Sequence, residues 1–126
     1  MNTAIDEVTN NYQDWSLDKL SYVDGLLTLN LKTYIKGDDP VRFMVVFTNT
    51  VLFEAYDESS HFHDYHQNRD SGVIGVYSDS SLLEYAQTKT NTFSLNNNKL
   101  LHYSVMTTNE IIHVLTNIEP QVINVT

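Results

Sequence analysis

The stretch KLSYVDGLLTLNLKTYI, residues 19–35, decides how the rest of the chain is read. Asp24-Gly25 lies between two runs of alternating apolar and polar residues, and an Asp-Gly pair supplies the positive φ angles that a type I′ hairpin turn needs. Two antiparallel strands are therefore predicted. In the second, Leu27, Leu29 and Leu31 fall on one face and Thr28, Asn30 and Lys32 on the other, the period-two pattern of a half-buried strand. Beyond it KGDDP breaks the chain, and Pro40, with its fixed φ and missing donor, makes VRFMVVF start as a new strand. TNT then leads into VLFEAYD, so four strands are expected to follow one another as a meander.

Further along, GVIGVY is a short strand, and SDSSLLEYAQTKT changes to a helical signature. Ser81 with Glu84 three residues on fits a capping box, Ser78 or Asp79 serves equally well as N-cap, and the helix is expected over about residues 79–88. Leu82, Leu83 and Ala86 would cover part of the sheet. NTFSLNNNKL reads as a polar connection pinned by Phe93 and Leu95. LLHYSVMTTNEIIHVLT reads as two strands around a turn at Thr107–Asn109, and EPQVINV adds a possible edge strand after Pro120. The first dozen residues form a weak helix or fray, with Trp15 the first anchor. The expected architecture is one α+β domain spanning residues 1–126. It is mostly an antiparallel curled β-meander of six or seven strands, a partly closed barrel or a helix-covered roll, because a flat sheet would leave apolar surface and free edges exposed.

The composition narrows the function. The 126 residues contain no cysteine, which removes disulfides, zinc–thiolate sites, iron–sulfur ligation and a cysteine nucleophile. Sixteen Asp and Glu against seven Lys and Arg give a net charge of −9, with no basic patch. A phosphate backbone would be repelled, so nucleic acid is not an expected partner; a basic protein is the natural complement. No run approaches the roughly 18 apolar residues of a membrane span. The start, MNTAIDEVTNNYQDW, has no signal-peptide pattern, so a cytoplasmic protein with no membrane partner is expected. The four glycines form no phosphate loop, and no cofactor is expected. Oligomeric state is left open.

Two groups of residues invite a chemical reading. DESSHFHDYHQNRDSG, residues 57–72, carries His61, His63 and His66 among Asp57, Glu58, Asp64 and Asp70. His61 and His63 share a face only in an extended chain, His63 and His66 only in a helix. Three converging ligands with a preorganised geometry are not signalled, and no metal site is expected. A long polar loop is nonetheless a place for binding, and Phe62 and Tyr65 suit a contact surface. The second group is the C-terminal hairpin. With a two-residue loop at Thr108-Asn109, His102 faces Leu115 and lies diagonal to His113, both imidazoles on one face with Ser104 between them. Tyr103, Val105, Ile112 and Val114 make the better core face, so the histidines look outward or under the helix. A catalytic triad would need an orienting acid, and Glu110 falls on the wrong face.

Finally, VYSDSSLLEYAQ followed by LLHYSVMTTNEIIHVLTNIEPQV resembles small bacterial proteins of the immunity-protein type. In these a β meander precedes a short S-x-x-L helix and an H-Y…T-x-N/D-E…H/D-V-L hairpin ending in E-P. The resemblance implies a bacterial cytosolic binding protein, in some members neutralising a toxin, without enzymatic activity. It carries over no catalytic residue and does not include the histidine-rich loop. The sequence thus favours a non-enzymatic protein-binding domain, with acidic loop and edge surfaces meeting a basic toxin or effector. The contrasting reading is a small-molecule- or metal-binding barrel, an enzyme in one version, that uses His61, His63 and His66 or His102 and His113.

Overall fold

Asp24 and Gly25 adopt φ angles of 50° and 83°, the left-handed pair that a type I′ turn requires, so the hairpin around which the sequence was read is present. In this computed structural model residues 4–34, 39–57, 69–70, 72–91, 95 and 99–126 are described. Helix α1 (Ala4–Val8) and a short 3-10 turn lead into β1 (Trp15–Val23) and β2 (Leu26–Tyr34). Then come β3 (Pro40–Phe47), β4 (Thr50–Asp57), β5 (Ile74–Tyr77), α2 (Ser81–Lys89), β6 (Leu101–Met106), β7 (Glu110–Thr116) and β8 (Gln121–Asn124).

The strands do not form one meander. β1-β2-β3-β8 make a first four-stranded sheet and β4-β7-β6-β5 a second, with every pairing antiparallel. The chain changes sheets between Phe47 and Thr50, where the Thr50 amide donates to the Gly25 carbonyl at 2.9 Å. The fold is α+β and mostly antiparallel, as expected, but neither sheet closes into a barrel. Each buries its apolar face against the other, and that removes the need to curl. The strand after Pro120 forms at an edge, beside β3.

Leu27, Leu29 and Leu31 of β2 lie opposite Phe47, Val45 and Phe43 of β3, and all six are buried. They meet Ile74, Tyr103, Val105, Ile112 and Val114 from the second sheet, with Ile5 of α1 closing the same core. β1 contributes Trp15, which stands edge-on to Phe43 at 5.7 Å between ring centroids. A β-bulge between Leu17 and Lys19 shifts the β1 register, so that Leu17 and Leu20 both face this core. β1 begins at Trp15, and the bulge interrupts its alternation before Lys19. Leu95, expected as a pin, is 79 % exposed, while Leu100 takes the buried position; Phe93 lies outside the described residues. No described helix is long and apolar enough to cross a membrane.

Candidate functional site: a polar face buried under a helix

The second sheet has two faces. Its inner face supplies the core residues named above; its outer face carries three cross-strand rows set by register. The first is Leu52–Leu115–His102–Tyr77, the second Glu54–His113–Ser104–Gly75, and the third Tyr56–Ile111–Met106. The middle row is polar, yet β6 and β7 are buried on both faces. Leu82 and Ala86 of α2 pack on Tyr77 and Leu115 and form a second, smaller apolar cluster there.

His102 faces Leu115 and is diagonal to His113, the arrangement the two-residue loop predicted, and of the two orientations weighed the imidazoles take the one under the helix. His102 Nδ1 lies 2.6 Å from Ser80 Oγ, and His102 Nε2 lies 2.9 Å from His113 Nδ1. Ser80 is the N-cap of α2, its hydroxyl oxygen accepting the Leu83 amide at 3.1 Å. The cap is thus neither Ser78, Asp79 nor Ser81, and Glu84 sits one position past the reciprocal place of a capping box.

Proton accounting orders the chain of bonds. Because the Ser80 oxygen already accepts from Leu83, its own hydrogen is best donated to His102 Nδ1. His102 then carries its proton on Nε2 and donates to His113 Nδ1. Tyr77 stacks on the His102 ring with centroids 4.0 Å apart and planes inclined by 15°. Burial, then the neighbouring His113 and Arg69, push the His102 pKa down to about 3, so the ring is neutral at physiological pH.

A second polar knot sits beside it. The Arg69 guanidinium lies over Gly75, where an added Cβ would fall 2.1 Å from its central carbon. Nε donates to Ser104 Oγ at 2.7 Å, Nη1 to the Asp70 and Gly72 carbonyls, and Nη2 to the Val73 and Ser104 carbonyls. Burial lowers its pKa, while Tyr77, Asp70 and Asp6 oppose the shift; the group keeps its proton. Asp70 Oδ1 accepts the Val76 amide at 2.6 Å, and Asp6 Oδ1 accepts the Val73 amide at 3.1 Å. Arg69 and Asp70, read from sequence as part of a charged loop, hold the start of β5 in place.

The residues expected to matter separate accordingly. His102, His113 and Ser104 come together. Glu58, His61, Phe62, His63, Asp64, Tyr65 and His66 lie outside the described residues. Asp57 is exposed at the end of β4 and faces Glu110 of β7 across the ladder. Glu110 is engaged at the hairpin turn, accepting from Thr107 Oγ1 at 2.9 Å, and stays off the histidine face. The carboxylate that register does place beside His113 is Glu54, which accepts the Tyr56 hydroxyl at 2.6 Å. Sequence reasoning missed Glu54, Ser80 and Arg69, and only the β4–β7 pairing, between strands far apart in the chain, could have pointed to the first. Among the described residues no three His, Asp or Glu side chains are grouped to hold a metal ion. Serine, imidazole and carboxylate are thus close, but Ser80 is 8 % exposed and His102 and His113 are at most 1 % exposed. A nucleophile whose lone pair caps a helix, under a sealed surface, is poorly placed to attack a substrate. Compared with known proteins, the chain matches no family model, no curated protein and no solved structure.

Proposed function

We propose that this chain is a non-enzymatic protein-binding domain whose partner is basic, in the manner of an immunity-type inhibitor of a toxin or effector. The observation that carries this reading is the burial of Ser80, His102 and His113: side chains of catalytic type are spent on fastening α2 to the second sheet. Charge supports the nature of the partner. The chain carries −9, and Asp57 and Glu110 stand opposite one another at one end of the second sheet. The likeness of residues 76–122 to immunity-type proteins points the same way.

The test is capture of partners from the native cell at low and high salt, followed by association kinetics on what is captured. A basic partner whose association slows as salt rises, and slows again with Asp57→Asn plus Glu58→Gln, is the expected result. An association rate indifferent to salt and to both substitutions overturns the acidic surface. Ester or amide hydrolysis by the purified chain, lost in Ser80→Ala, overturns the non-enzymatic reading.

A further inference from the structure

The first sheet ends on β1, and β1 reads nearly the same in both directions. Residues 15–22 run Trp, Ser, Leu, Asp, Lys, Leu, Ser, Tyr. Two copies laid antiparallel about a two-fold axis between Asp18 and Lys19 place Ser16 against Ser21, Leu17 against Leu20 and Asp18 against Lys19. Each contact is made twice, as an isologous interface demands. In a regular strand this symmetry would be useless, because side chains alternate and Leu17 and Leu20, three apart, would point to opposite faces.

The bulge removes the obstacle. Leu17 pairs with Leu31 and Leu20 with Leu29, while Trp15 pairs with Thr33 and Tyr22 with Leu27. All four β1 residues therefore share the face that β2 turns into the core. Ser16, Lys19 and Ser21 pair with Lys32, Asn30 and Thr28 on the opposite face. Across the axis, core-facing residues meet core-facing residues and solvent-facing ones meet solvent-facing ones.

We infer that β1 is a self-pairing edge, and that its occupant is β1 of a second copy of this chain, joining two first sheets into one. A bulge and exposed charges are the usual protection of an edge strand against stray partners. Here Asp18 and Lys19 are both exposed at the centre of the edge. Asp18 already pairs with Lys32 of its own chain; an unrelated strand would set no carboxylate against Lys19, whereas a second copy sets an Asp18 against each Lys19, so the charges select instead of merely repelling. Tyr22 and Val23, 46 % and 64 % exposed, lie just past Ser21, the last residue of the pairing. At the other end the Trp15 carbonyl accepts the Thr108 amide at 2.9 Å, so the free ladder begins at Ser16. The opposing force is the −9 charge on each copy, and salt should therefore tighten the pair.

Sedimentation equilibrium of the full chain, at low and high salt up to millimolar concentration, tests this. A monomer–dimer equilibrium that shifts to dimer with salt is expected. Asp18→Lys and Lys19→Asp each set like charges face to face and each should abolish the dimer. An equimolar mixture of the two variants should regain it as a heterodimer, because each chain then meets the opposite charge in the other, and native mass spectrometry identifies that species. The regain also shows that the loss was not unfolding. Amide exchange over residues 16–21 of the unmodified chain, slowing as concentration rises, is an independent expected result. An unmodified chain that stays monomeric at every salt and concentration overturns the inference. So does a dimer that survives both single substitutions, or a mixture of folded variants that stays monomeric.

Discussion

The two sheets are built from strands of similar length, but they bury their side chains by different means. The first keeps one face in the core and one against water, and its polar outer residues bond little beyond their neighbours: Lys32 reaches Asp18 at the surface and Ser16 Oγ reaches the Lys32 carbonyl. In the second sheet β6 and β7 are buried on both faces, and the middle row of the outer face is polar, so His102, His113, Ser104 and Arg69 each require a named partner. Burial of an apolar face tolerates approximation because it scales with area. Burial of a polar face does not, since a lost partner leaves a desolvated donor or acceptor. The second sheet should therefore be the brittle half of the molecule.

The strongest way to break the contrast is at Arg69. Arg69→Ala removes the donors to four carbonyls and one hydroxyl and should cost about 3–5 kcal/mol, read from chemical denaturation. Gly75→Ala should cost nearly as much, because its Cβ would occupy the place of the guanidinium carbon. If that is the cause, the double variant should be hardly worse than Arg69→Ala alone, a large non-additivity.

Next in size is a pH effect from His102. Its folded pKa, about 3, lies below the unfolded value near 6.5, so the unfolded chain binds the proton more readily. The stability tied to its neutrality is complete above about pH 6.5 and is lost as pH falls toward 3, with a slope of up to about 1.4 kcal/mol per pH unit. His102→Leu should flatten the stability curve over that window relative to the unmodified chain, whatever its effect at neutral pH. Parallel curves for the two proteins would remove His102 from the explanation.

In the first sheet the sensitive position should be a backbone one. Gly25→Val places a β-branched residue at φ 83° and should cost about 1–3 kcal/mol in thermal melts. Lys32→Gln, which removes the Asp18 pair, should cost less than about 1 kcal/mol, because half-exposed ion pairs contribute little. A Lys32 effect as large as that of Arg69 would erase the distinction between the sheets.

What could be read from the sequence follows the same division. The Asp24-Gly25 turn and the β2 face were legible because a one-sided strand writes its environment as alternation. The β6–β7 register was legible too, since a two-residue loop fixes which residues oppose each other, and it put His102 and His113 on one face. The partition into two sheets was not, because β4 pairs with β7 and β3 with β8, and pairing between distant strands leaves no local pattern. The start of β1 was hidden by its bulge, which breaks alternation at Asp18. At the site, Arg69 stood in a polar stretch among Asn and Asp and read as one more solvated charge. Ser80 was one of four Ser or Asp residues in a row at 78–81, any of which could cap a helix. Nothing local distinguishes the one beneath which an imidazole will lie.

The pairing of β3 with β8 also has a consequence for synthesis. Phe43 through Val46 bond to residues 121–124, so one long edge of β3 stays open until almost all of the described chain has been made. β4, β5, β6 and β7 all precede Gln121, and the second sheet is therefore complete before the first. In the interval β3 offers Met44 and Val46 on an unprotected ladder to any neighbouring nascent chain. A chain released after truncation near Pro120 would hold all the strands of the second sheet while the first is still adhesive, and such a product is expected to aggregate through the sheet that is otherwise the more forgiving one.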